Sequence, residues 1–183
     1  MKISKLSVAF ATCILSVAAN ASSIDNTSSK KGYSYVVTYD KDMSSISSSN
    51  AAMSLLEGYR ALDDAIFANS DNIAMNILSY VTRFTTASWI MVANHEIGGH
   101  GARMREFDVK VTKYKVNPFD GFTQYKAKDF DSLQVHKKAA IDVGGMQASY
   151  LLSENIKDRY MSSNKINPTY GIGYFIARLD QAT

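Results

Sequence analysis

Two of the three histidines in the 183-residue chain, His95 and His100, stand five positions apart with a glutamate beside the first, in the run Asn94-His95-Glu96-Ile97-Gly98-Gly99-His100-Gly101. Neutral imidazoles suit a borderline-soft divalent ion, and an adjacent carboxylate can take a proton from water activated there. These residue types point to a metal-dependent hydrolase, with His95 and His100 as ligands of Zn2+ and Glu96 as general base. The spacing is not the His-Glu-x-x-His of a regular helix, whose histidines share one face. At i and i+5 the two rings would lie about 140° apart around an ideal helix. A one-residue π-bulge brings i+5 back over i, and such bulges recur at functional sites. Gly98 and Gly99 occupy the place where it must form, each disfavouring a helix by about 1 kcal/mol relative to alanine. The competing structural reading is a chance pair, one histidine packed in the core and the other near the C-terminal end of a helix dipole.

The run His95-Glu96-Ile97-Gly98-Gly99-His100 resembles the His-Glu-x-x-Gly-His motif of the dipeptidyl peptidase III family, zinc peptidases that carry the same extra residue. It is also similar to the His-Glu-x-Gly-His of other zincin metallopeptidases with one glycine inserted. The resemblance covers six residues of a chain far shorter than a dipeptidyl peptidase III. It implies zinc at His95 and His100 with Glu96 as base. The family's second glutamate motif, which supplies the remaining ligand, has no recognisable counterpart.

The elements that must position these residues follow from periodicity and breaker signals. Met43 to Asn50 is serine-rich and reads as a loop ending in an N-cap at Asn50. Leu55, Tyr59, Leu62 and Ile66 form the stripe of an amphipathic helix over 51–67, with Asp63 and Asp64 on its solvated face. Ser70-Asp71-Asn72 opens a second helix. Its residues Ile73, Ile77, Tyr80, Phe84 and Met91 share a face that continues to His95 and directs that ring inward. Arg83, Asn76 and several hydroxyl residues argue that the segment from Ile73 to Ala93 is a buried helix rather than a bilayer span; membrane association is not favoured, and inside a membrane the competing reading would be an intramembrane protease.

After the motif, Gly101 to Arg105 completes a last helical turn with basic residues suited to its C-terminus. Asp108 to Val116 and Phe122 to Lys126 predict two strands joined through Asn117-Pro118-Phe119-Asp120-Gly121. Asp131-Ser132 opens another helix, from about Leu133 to Tyr160, with a small-residue patch around Gly144-Gly145. A motif helix, a hairpin and a second, ligand-bearing helix is an order similar to that of zincins, which implies a third ligand from the last of these. Asp142 is the first candidate; Gln147, His136 and Glu154 are the alternatives. For Asp142 a solvated or capping role stands equal to ligation. A turn at Asn167-Pro168 leads into a short apolar segment ending at Leu179.

The first residues read as a secretory signal peptide, 1–21: Lys2 and Lys5, an apolar run from Leu6 to Ala18, and the small-x-small site Ala19-Asn20-Ala21. Residues 22–50 then form a leader with a short strand at Ser34–Tyr39 and the serine-rich loop, and 51–183 a single zincin-like domain. The 20 basic and 17 acidic residues of the whole chain include Lys2 and Lys5, so the mature protein is near neutral. That gives no electrostatic case for nucleic acid. The lone cysteine, Cys13, lies in the expected signal peptide, which leaves no disulfide chemistry to the mature chain. The expectation is therefore a mostly helical α+β domain, a periplasmic or secreted bacterial zinc metallopeptidase acting on a peptide or protein substrate. The rival is a non-enzymatic exported binding or structural protein with a degenerate site.

Overall fold

Helical periodicity and capping signals translate into a chain of helices interrupted by one β-hairpin. The structure, a computed structural model, describes residues 43–67, 70–162 and 167–181. The expected signal peptide, its cleavage site and the strand expected at Ser34–Tyr39 lie outside the described residues. In chain order the elements are α1 (Ser45–Phe67), α2 (Ile73–Ala93), a π-helical turn (Asn94–His100), α3 (Gly101–Glu106), β1 (Val111–Val116), β2 (Gly121–Tyr125), α4 (Ala127–Asp131), α5 (Val135–Asp142), α6 (Gly144–Met161) and α7 (Pro168–Leu179). A mostly helical α+β fold is thus what these residues adopt.

Local chemistry explains several boundaries. Asn72 caps α2, its side-chain oxygen accepting from the Ala74 amide at 2.8 Å. Asn167 does the same for α7 through the Thr169 amide at 2.9 Å, with Pro168 in the first turn where its missing N–H is no loss. β1 and β2 pair antiparallel from Val116↔Gly121 to Val111↔Tyr125, with an irregularity between Val111 and Lys113. Asn117 shapes the turn between them by accepting from the Phe119 amide at 2.9 Å.

Packing overrides the local signals elsewhere. The serine run expected as a loop is the first turn and a half of α1, because Ser48 and Ser49 are buried and small enough to let α1 approach α6 and the π turn. Asn155 of α6 donates to Ser49 Oγ at 2.9 Å. The expected apolar stripe of α1 faces outward: Leu55, Leu62 and Ile66 are exposed, and the face that packs inward carries Ala52, Met53, Leu56 and Asp63. Asp63 is therefore not solvated. It is 1% exposed and held by the Arg83 guanidinium at 2.5 Å and by Ser79 Oγ at 3.0 Å, so that the charges α1 and α2 bury satisfy one another. Asp64 remains at the surface with Arg60. On α2, Ile73, Ile77 and Tyr80 are exposed as well; apart from Ser79, which meets Asp63, the buried residues are Ala87, Ser88, Met91 and Val92, where the helix meets α7 and the hairpin. Among the described residues, no helix is long and apolar enough to cross a membrane.

The long helix expected from Leu133 to Tyr160 is broken at Val143 into α5 and α6. The break allows Gly144 and Gly145, both buried, to meet the π turn backbone to backbone. The segment after Asn167 is helical, as α7, and not a turn with a short extension. The main core joins Leu56 of α1, Met91 of α2, Leu152 and Ile156 of α6, and Tyr170 and Ile176 of α7. A second cluster, Met104, Val109 and Ile141, ties α3 to α5 beneath the hairpin.

Glycine positions in this packing are of two opposite kinds. A Cβ on Gly99 would fall 2.5 Å from the Gly145 Cα, whereas one on Gly58, inside α1, would meet nothing within 4 Å. Gly99→Ala is therefore expected to lower stability by roughly 1–3 kcal/mol through overpacking, and Gly58→Ala to raise it by about 1 kcal/mol through helix propensity. Denaturant unfolding of the two variants beside the wild type checks both signs.

Candidate metal centre

The π turn does what the five-residue spacing requires. Asn94 to His100 forms i→i+5 geometry at the end of α2, and the rings of His95 and His100 converge with their Nε2 atoms 3.1 Å apart. Three neighbours hold the widened turn in place. Asn94, 2% exposed, accepts from Ser48 Oγ at 2.9 Å and donates to the Ala148 carbonyl at 2.9 Å, pinning it between α1 and α6. Arg105 of α3 donates to the Ile97 carbonyl at 3.0 Å and to Tyr114 Oη at 2.7 Å, pinning it to β1. The backbone of Gly99 lies against that of Gly144 and Gly145, and the missing side chain of Gly145 leaves the volume that the His95 ring fills.

Each imidazole spends its other nitrogen on an acceptor. His95 Nδ1 lies 2.6 Å from Asp180 Oδ2, and His100 Nδ1 lies 2.7 Å from the Ile141 carbonyl oxygen. A carboxylate and a carbonyl only accept, so Nδ1 carries the hydrogen on both rings, and with both rings neutral the two Nε2 atoms present lone pairs. Two lone pairs at 3.1 Å repel unless a metal ion lies between them or one ring takes up a proton and donates Nε2–H to the other. The separation is close to the edge of a tetrahedron of nitrogens around zinc, about 3.4 Å for bonds near 2.05 Å. Glu96 completes the group: one ligand atom from each of His95, Glu96 and His100 lies within 4.8 Å of the others. This trio could hold a metal ion.

Glu96 is 6% exposed and reaches the hairpin. Its Oε2 accepts from Thr123 Oγ1 of β2 at 2.7 Å, and Gly121, at the start of β2, leaves room for its side chain against Val92. Tyr114 of β1 stands beside the turn with its hydroxyl pKa raised, chiefly by burial and also by the charge of Glu96, against the lowering effect of Arg105.

Compared with models of known protein families, with curated proteins and with solved structures, the chain matches none. The site must be read from its own geometry.

Sequence reasoning placed His95, Glu96 and His100, and these three converge. Asp142 does not join them: it ends α5 with its side chain exposed. The segment it was chosen from does reach the site, through the backbone of the preceding residue, Ile141. Of the alternatives, Gln147 accepts from Arg103, Glu154 pairs with Lys157, and His136 is exposed. Asp180 went unnoticed in the sequence. It lies 85 residues from His95, at the C-terminal cap of α7, and also accepts from Ser149 Oγ of α6 at 2.5 Å. A single acidic residue after an apolar segment carries no signal of such a role.

Burial disfavours the charged form of His95, but the hydrogen bond and charge of Asp180, with Glu96 adding, outweigh it and raise the pKa above the usual histidine value. A raised folded-state pKa means that the protonated ring stabilises the fold. That contribution is complete below the unfolded value near 6.5 and is lost as pH climbs through the folded one. In metal-free protein the melting temperature is accordingly expected to fall as pH is raised from about 6 to 9. The fall should be smaller in His95→Gln, which thermal melts across that range will register.

Proposed function

We propose that this protein is a zinc-dependent hydrolase that cleaves peptide bonds. The observation that carries the proposal is the pair of Nε2 lone pairs facing each other with both Nδ1 atoms committed to acceptors and a buried carboxylate alongside. Nitrogen donors at a tetrahedral spacing suit zinc better than they suit calcium or magnesium, which favour oxygen. When bound, zinc would acidify a water and polarise the carbonyl to be attacked.

The chain's own residues divide the remaining work. His95 and His100 hold the ion, each ring locked by its acceptor in the tautomer that offers Nε2. Glu96 takes the proton of the attacking water and returns it to the leaving amine, so that one carboxylate serves both halves of the reaction. Thr123 fixes that carboxylate by hydrogen bonding one oxygen and leaving the other for proton transfer. Zinc also needs a third protein ligand and an open position.

A second reading is favoured by one feature of the same geometry. Glu96 belongs to the converging trio, and as the third ligand it would leave no base. The protein would then be a metal-binding module without hydrolytic activity.

One experiment separates the two. Zinc content by elemental mass spectrometry is expected to be near stoichiometric in the wild type, to survive Glu96→Gln and to vanish in His100→Ala. Peptidase activity should then fall by 10²–10⁴-fold in Glu96→Gln, the usual contribution of a general base. Loss of zinc in Glu96→Gln would make Glu96 a ligand and overturn the enzymatic reading. A wild type that takes up no metal after reconstitution would overturn the site.

A further inference from the structure

The candidate metal centre does not end with the π turn. Its His95 ring is oriented from the far end of the described chain. Asp180 follows α7 directly, and its Oδ2 receives both the His95 Nδ1 hydrogen at 2.6 Å and the Ser149 hydroxyl hydrogen at 2.5 Å. Ser149 is fully buried in α6, and the His95 and Asp180 side chains are each only about one-fifth exposed or less. A charged hydrogen bond so sheltered from water is among the stronger ones a protein makes. The next residue, Gln181, donates to Ser153 Oγ of α6 at 3.2 Å and to the Ala177 carbonyl at 2.8 Å, which holds the end of α7 in place. Behind it, Tyr170, Ile176 and Ala177 bury α7 in the main core.

We infer that Asp180 is a positioning residue for the metal centre, so that docking of the C-terminal helix α7 and binding of the ion are coupled. The inference rests on the reading of His95 and His100 as ligands and extends it to a residue outside the motif. Its physical content is that His95 can offer Nε2 only while Nδ1 keeps its hydrogen, and Asp180 is what keeps it there. With α7 displaced, the ring is free to rotate or to carry its hydrogen on Nε2, where it blocks a cation. By linkage, an ion that favours the docked arrangement must also hold α7 down by the same factor.

The test uses the purified full chain, stripped of metal and titrated with Zn2+ against a chromophoric chelator, as wild type, Asp180→Asn and Ser149→Ala. Asparagine keeps the shape and removes the charge. Asp180→Asn is expected to weaken zinc binding by 10–100-fold, the range seen when the partner of a ligating histidine is lost, and Ser149→Ala to weaken it less. Two further readouts separate positioning from mere structural support. Ring 15N shifts in the metal-free wild type should report His95 with hydrogen on Nδ1, and this population should decrease in Asp180→Asn. Hydrogen exchange of the α7 amides should slow when zinc is added to the wild type and change little in the variant. Equal zinc affinity in the wild type and Asp180→Asn would overturn the coupling while leaving the metal site standing. A wild type that binds no zinc would overturn both.

Discussion

The two Nε2 lone pairs of His95 and His100, 3.1 Å apart, are the constraint on which the rest of the structure depends. Left alone the arrangement is repulsive, and each ring could relieve it by rotating or by shifting its hydrogen. Neither is free to do so, because Asp180 and the Ile141 carbonyl hold the opposite nitrogens. With both rings neutral, the protein thus maintains a geometry that a metal ion or a shared proton makes favourable. A trio that could hold a metal ion is what this convergence creates, whereas a chance pair of core histidines would be expected to pair off with separate partners.

The convergence requires backbone distortion, which packing must sustain. A π turn has poorer intrinsic stability than the α-helix it interrupts. Here Asn94 fastens its start to α1 and α6, Arg105 fastens its middle to β1, and the Gly99–Gly145 contact lets α6 approach closely enough to cover it. The two glycines of the motif therefore serve different neighbours. Gly98 faces Ser48 of α1 and Gly99 faces the start of α6. The break at Val143 belongs to the same arrangement. On one side of it Ile141 presents its carbonyl to His100, and on the other Gly145 makes room for the His95 ring.

How much of this was legible in the sequence depends on the range of the interactions. The π turn could be anticipated because its cause is local: an extra residue between two histidines and two glycines to absorb it. The start of α2 at Asn72, the hairpin and its Asn117 turn were readable for the same reason. What could not be read was set by tertiary contact. Ser48 and Ser49 are poor helix formers until α6 buries them, and Asp63 looks solvated until Arg83 is found 20 residues away. The apolar stripes of α1 and of the first half of α2 point outward, so periodicity located the helices but misassigned the face that packs. The third group was sought as a carboxylate on the helix after the hairpin. That helix contributes a carbonyl, and the carboxylate that supports His95 comes from the cap of α7.

Glu96 illustrates why roles within the trio follow from the hairpin as much as from the motif. Next to a metal, a glutamate can ligate or can act on water, and the choice depends on how far its carboxylate can travel. Thr123 holds Oε2 toward β2, and Gly121 admits the side chain against Val92 where a Cβ would crowd both. That oxygen is committed to β2, while the carboxylate stays within the converging trio. The hairpin, which partners neither histidine, is then the element that fixes the Glu96 carboxylate. The same logic assigns the support of each histidine to a different element: α5 for His100 and α7 for His95. A short motif at the end of one helix is surrounded by three other elements, α5, α7 and the hairpin, each supplying one hydrogen-bond partner.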